Sequence, residues 1–218
     1  MLFIWTGSTG AVLKLLFAKR KIQDLKSIAP MVDMAMHMMD VVQNSIRAQS
    51  KEIEIGFFED SSNHTLTFRV EDDGCGMSRE AVQKLADPFF TTRTTRRAGL
   101  GIPLLKMTCE QAGGALSVLS EAGGGTVVEA VYRTDHPDCL PLGDIAGYLA
   151  LLLKANPGIR IRFAYRMDKA LFTIDSHELQ KEGVDVLCPG MMSAVKEYIR
   201  QNLNELYTKR PSGSLLCR

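Results

Sequence analysis

The chain has 218 residues, 45% of them hydrophobic and 23% charged, with a formal net charge of +1. That length can bury a substantial core, as one domain or as one domain with a smaller addition. The near-neutral balance excludes a protein whose main work is coating nucleic acid or an anionic membrane.

Five scattered cysteines (Cys75, Cys109, Cys139, Cys188, Cys217) form no C-x-x-C pair. Neither a zinc site nor a disulfide framework is predicted, and a cytoplasmic setting is expected. Met1 to Trp5 is apolar, but Gly7-Ser8-Thr9-Gly10 interrupts it and the basic residues follow it, the wrong order for an export signal. Residues 1–30 read as a leader or extra helix, with an amphipathic anchor over Leu13 to Ile22 as the alternative and Met31 as a candidate start. The longest later apolar run, Ile145 to Leu153, falls short of the ~20 residues that span a bilayer, so no stable membrane insertion is expected.

Met31 to Ser50 is the best amphipathic helix. At 3.6-residue periodicity Met34, Ala35, Met38, Met39, Val41, Val42, Ser45 and Ile46 gather on one side, and His37, Asp40, Asn44 and Arg47 on the other. The bland reading of the polar side is a solvated face. The sharper one is that Asp40 and Asn44, one turn apart, are oxygen ligands for a hard cation. Two alternating runs, Glu52 to Phe57 and Thr65 to Val70, flank a turn at Asp60-Ser61-Ser62-Asn63 and predict an antiparallel hairpin. The second run enters Asp72-Asp73-Gly74-Cys75-Gly76 directly, which brings an acidic residue out where the backbone turns on glycines.

Ser78 can cap a short helix through Leu85, and Asp87-Pro88 ends it. Phe89 to Ala98 has no periodicity and carries Arg93, Arg96 and Arg97, which predicts a mobile loop. After Gly99-Leu100-Gly101, Pro103 suits the first turn of a helix reaching about Gln111. Ala115 to Ser120 and Thr126 to Tyr132 predict a second hairpin around Glu121 to Gly125. The implied fold is α+β, a two-layer sandwich of a mixed, mostly antiparallel sheet with helices on one face. Polar Thr134 to Pro141 is read as a boundary. Beyond it a small α+β accessory domain is expected over 142–206, with 207–218 as a tail. On its strand Arg160, Arg162 and Arg166 share one face, read as solvated surface or, alternatively, as a docking stripe for an acidic partner.

No P-loop, no G-x-G-x-x-G opening a helix and no H-E-x-x-H is present. A helix beginning at Gly101 offers free backbone N–H groups to a phosphate, and the preceding arginines can neutralise it. Asn44 can hold Mg²⁺ against phosphate oxygens. Asp72 can accept a hydrogen bond from an exocyclic amino group, the choice of adenine over guanine. Each piece alone is ordinary turn or surface chemistry; their joint order is the signal.

From Met31 to Tyr132 the sequence resembles the ATP-binding domain shared by gyrase, the Hsp90 chaperones, sensor histidine kinases and MutL, the Bergerat or GHKL fold. Asp40 to Ala48 is similar to the N box, Asp72 to Gly76 to the first glycine box, Phe89-Phe90-Thr91-Thr92 to the F box, Gly99-Leu100-Gly101 to the second glycine box and Gly123 to Thr126 to the last. The F box and short lid resemble the histidine-kinase branch most, with a domain at 31–134. The resemblance implies ATP and Mg²⁺ as cofactors, with Asn44 carrying Mg²⁺, Asp72 contacting adenine, and Gly74, Gly76 and Thr92 also in the nucleotide site. It also implies that Thr126 supports the base through water, and that Arg93, Gly99, Leu100 and Gly101 meet the phosphates.

Where the hydrolysing branches carry a glutamate this chain has Asp40, one methylene shorter, as the catalytic candidate. Residues 1–30 hold no histidine and no dimerising hairpin for a phosphoacceptor, and His37 is read as partly exposed structure or as supporting the pocket. The expected activity is an ATP-dependent protein kinase or slow ATPase acting on a separate protein, with no nucleic-acid partner and with a homodimer compatible. The alternative is an ATP-gated binding module with little turnover.

Overall fold

A computed structural model describes residues 33–85, 101–188 and 190–210. Helix α1 is Met34–Arg47, followed by strands β1, Glu52–Asp60, and β2, Thr65–Asp72. Helices α2, Arg79–Leu85, and α3, Gly101–Gln111, lead to strands β3, Ala115–Ser120, and β4, Thr126–Arg133. The chain continues as α4, Ile145–Ala155, strands β5, Arg160–Met167, and β6, Ala170–Asp175, then α5, Ser176–Lys181, and α6, Met191–Tyr207.

The strands form one six-stranded sheet in the order β3-β4-β2-β1-β5-β6. All neighbours are antiparallel except β1 and β5. Alternation gives the sheet a core face, on which Ile53, Ile55 and Phe57 of β1 meet Phe68 and Val70 of β2 and Ile161, Phe163 and Tyr165 of β5, all buried. Met34, Met38 and Val42 of α1 and Leu149 and Leu153 of α4 join the same core. Asp33 starts α1 by accepting the Met36 N–H at 2.8 Å, and Asp144 starts α4 by accepting that of Gly147 at 2.9 Å, as short side-chain oxygens do at helix N-termini.

The expected accessory domain over 142–206 is not a separate body in the sheet. Strand β5 lies in parallel register on β1, Glu52 to Glu59 facing Arg160 to Met167, and β6 extends the same sheet. The expected boundary at Thr134 to Pro141 is bonded to the start of α1, with Pro141 accepting the Met34 N–H at 3.0 Å and Leu142 that of Ala35 at 3.0 Å. The physical reason is coverage: without β5 the aromatic strand β1 would be an edge, and its polar backbone would go unpaired.

A buried charge locks this closure. Arg210, just past α6, donates Nε to both oxygens of Glu59 on β1 (3.1 and 3.0 Å) and Nη2 to the Tyr165 hydroxyl on β5 (2.6 Å). Tyr165 in turn donates to Glu59 at 3.0 Å, and the Arg210 guanidinium stacks 4.3 Å from the Tyr207 ring.

Candidate nucleotide site

Asp72 is the last residue of β2 and is 9% exposed. Its Oδ2 accepts from the Ser45 hydroxyl at 2.6 Å, and its Oδ1 accepts from the Gly74 N–H at 2.9 Å. The Ser50 hydroxyl lies 3.1 Å from Oδ1 and 2.7 Å from the Ser45 carbonyl, so its single proton is shared between two acceptors. The carboxylate is thereby fixed in rotation while Oδ2 retains a lone pair able to accept from a ligand's amino group. Next to it, Asp73 accepts the Lys51 and Glu52 N–H groups at 2.7 and 2.9 Å. These backbone donors, that of Glu52 foremost, hold its carboxyl below the usual range.

The glycine box that follows is pinned between two distant turns. The Cys75 N–H donates to Ala48 at the end of α1, and the Cys75 carbonyl accepts from Gly123 in the β3–β4 turn, at 2.9 and 2.8 Å. Gly76 has φ +62°, and a Cβ there would fall 1.8 Å from the Glu121 carbonyl oxygen. At Gly125, with φ +80°, a Cβ would fall 2.0 Å from the Asp72 carbonyl oxygen. Only glycine permits both the left-handed backbone and this approach. Thr126 pairs across the ladder with Asp72, and its hydroxyl lies 2.8 Å from that of Ser120.

Asp40 and Asn44 lie on the exposed side of α1. Asp40 faces the first residue of α3: a Cβ on Gly101 would sit 3.1 Å from its Cβ. The Asn44 amide oxygen accepts from Arg47 Nη1 at 3.5 Å. The described structure thus brings together Asp40 with Gly101, and Asp72 with Gly74, Gly76 and Thr126. Thr92, Arg93, Gly99 and Leu100, with the remainder of the F box, lie outside the described residues.

His37 departs from its expected exposure. It is 1% exposed, on the core side of α1, with Nε2 3.1 Å from the Thr108 hydroxyl, which is itself 3.0 Å from the Tyr132 hydroxyl. Thr108 also donates to the Leu105 carbonyl at 3.1 Å, so a neutral ring donating from Nε2 uses each proton once. Burial pushes the ring's pKa down to about 4.

Sequence reasoning missed Ser45 and Ser50 as the supports of Asp72. The signal was present: Ser45 is the one hydroxyl on the otherwise apolar side of α1, where a polar group needs a partner. Two arginines of the stripe are ion-paired, Arg160 with Asp175 and Glu52 and Arg162 with Glu52 and Glu54, and Arg166 lies over the Phe58 ring.

Residues 33–136 match the model of the histidine kinase-, DNA gyrase B- and HSP90-like ATPase family. Residues 33–136 are a histidine-kinase-like GHKL ATPase domain. Similar proteins include a putative sensor protein of Shewanella frigidimarina, 25% identical over 103 residues, covering 46% of this chain and 16% of that one. Sporulation kinase C of Bacillus subtilis is 28% identical over 93 residues, covering 43% of this chain and 22% of its own. Sensor histidine kinase CpxA of Escherichia coli is 31% identical over 91 residues, covering 39% and 20%. The chain therefore spans under a quarter of the length of these relatives. The GHKL match ends just past β4, whereas the sheet continues through β5 and β6. Among the described residues no helix is long and apolar enough to cross a membrane.

Proposed function

We propose that this chain binds Mg-ATP and passes the state of the γ-phosphate to a separate protein, by transfer or by hydrolysis. The observation that carries the reading is the Asp72 carboxylate, oriented by Ser45 and Gly74 with a lone pair of Oδ2 left over. In this reading that oxygen accepts adenine's amino hydrogen, and Thr126 supports the base through water. Gly74 and Gly76 let the backbone come close to it.

Asn44 supplies the protein oxygen for Mg²⁺. In this reading phosphate oxygens and water would supply the rest of the cation's shell. When bound, Mg²⁺ offsets charge on the phosphates. Gly101, together with Thr92, Arg93, Gly99 and Leu100, would meet the phosphates, and Asp40 would take the proton of the attacking group. In this reading the scattered cysteines fit a cytoplasmic setting.

One observation favours a second reading. Asp40 is one methylene shorter than the glutamate of the hydrolysing branches, which supports an ATP-gated binding module with little turnover.

Incubating the purified chain with γ-labelled ATP and Mg²⁺, alone and with candidate acceptor proteins, separates the two. Label transfer or phosphate release that is lost in Asp40→Asn and Asn44→Ala is expected for the enzyme. Bound nucleotide without either product would leave the module. Unchanged ATP affinity in Asp72→Asn would overturn the adenine assignment.

A further inference from the structure

Among the described residues strand β6 ends the sheet, and its only ladder partner there is β5. Among the described residues no backbone bond outside that ladder reaches Ala170 to Ile174. The strand carries neither Lys nor Pro, the residues that commonly blunt an edge, and Leu171 is 59% exposed.

Two concavities flank this edge and share Thr173, Ile174, Asp175 and Glu178. The one on the helix side, about 390 Å³, is walled by Leu179 of α5, Val184, and Met191, Ala194, Val195 and Tyr198 of α6. Its charged lining consists of Asp175, Glu178 and Glu182, with no Lys or Arg. The one on the open sheet face, about 480 Å³, has Gly56 and Ala164 as floor and Glu54, Glu71, Asp175 and Glu178 in its lining; arginines hold the first three, Arg162 on Glu54, Arg69 on Glu71 and Arg160 on Asp175.

We propose that the β6 edge takes an extended segment of a partner protein as a seventh strand, with apolar side chains alternating with Lys or Arg. A strand added to an edge sends successive side chains to opposite faces. Beside β6 one set enters the apolar groove between α5 and α6, ringed by Glu178 and Glu182, and the other reaches over the open face, whose lining also includes Glu178. Tyr198, 52% exposed and edge-on to Phe172 at 6.0 Å, gives the groove an aromatic anchor of the kind that dominates binding energy. A second copy pairing through the same edge would set two acidic rims against each other, which disfavours that occupant.

The probe is a short fluorescein-labelled peptide alternating valine and lysine, titrated with the full chain without nucleotide and read by anisotropy. Failure here would leave ATP binding at Asp72 untouched. Micromolar binding is expected, at least about tenfold weaker when glutamate replaces lysine or when alternate backbone amides are N-methylated. Glu178→Lys with Glu182→Lys should reverse the charge preference, and Ala194→Trp, at an exposed position on α6, should fill the groove and abolish binding. Both variants should keep the wild-type melting temperature and ATP affinity. No binding of the valine–lysine peptide would overturn the assignment. So would binding blind to charge or unchanged in both folded variants, or self-association of the wild-type chain that Ala194→Trp removes.

Discussion

Arg210→Met removes the cation shared by Glu59 and Tyr165. The Arg210 and Glu59 side chains are 4% and 3% exposed, so the substitution leaves a carboxylate out of water with the Tyr165 hydroxyl still donating to it. Deleting one partner of a buried pair costs about 3–5 kcal/mol, a large part of the ~5–15 kcal/mol that holds a domain together. Replacing both charges, as Glu59→Leu with Arg210→Met, removes the stranded charge as well and should recover most of the loss. In a urea titration followed by circular dichroism, a slope of about 2 kcal/mol/M gives a midpoint drop of roughly 1.5–2.5 M for the single variant. A loss below about 1 kcal/mol, or a double variant no more stable than the single, would refute the view that a desolvated charge pair ties the end of α6 to β1 and β5.

Ser45→Ala removes the 2.6 Å donor to Asp72 Oδ2; ATP affinity should fall by roughly tenfold, a net hydrogen bond of about 1.5 kcal/mol to a charged group, with Ser45→Thr retaining part of it in calorimetry. Gly76→Ala forces a Cβ into the Glu121 carbonyl at positive φ, and should cost at least about 1–3 kcal/mol of stability and disrupt nucleotide binding. His37 titrates near 4 when folded against 6.5 unfolded, so the unfolded chain binds the extra proton. Its contribution is complete above about pH 6.5 and is lost as pH falls toward 4, a span of about 3 kcal/mol that a His37→Gln variant should flatten in pH-dependent melts. Truncation after Asp138 removes β5 and uncovers Phe57 and Ile55 along β1, so the fragment should fail to give a cooperative thermal transition.

The elements that form α1 to β4 were legible because their information is local. Periodicity marks α1, alternation marks the hairpins, and glycines mark the turns at Asp72 and Gly125. The carboxylate at Asp72 was legible as a strand-end acid before glycines, but its two serine donors arrive from the end of α1 and the turn before β1, and composition does not reveal that meeting. His37 sits at the border of the helix's apolar face, where a small rotation decides between solvent and core. The placement of β5 was not legible at all: an alternating strand reads the same beside its hairpin partner or beside a strand more than a hundred positions earlier. The partners of the arginine stripe were hidden for a related reason, since Glu52 and Glu54 become its neighbours only through that same pairing.

The parallel seam between β1 and β5 also dictates a timetable. Glu52 must wait for Arg160, so during synthesis the strand that centres the core leaves the ribosome long before its neighbour exists. Closing so long an interval is slow compared with forming either hairpin. Until then the nascent chain offers one hydrogen-bonding side of β1 to any passing strand, and holding chaperones or rapid collapse of α1 onto the hairpin would determine how much of the protein reaches its mature state.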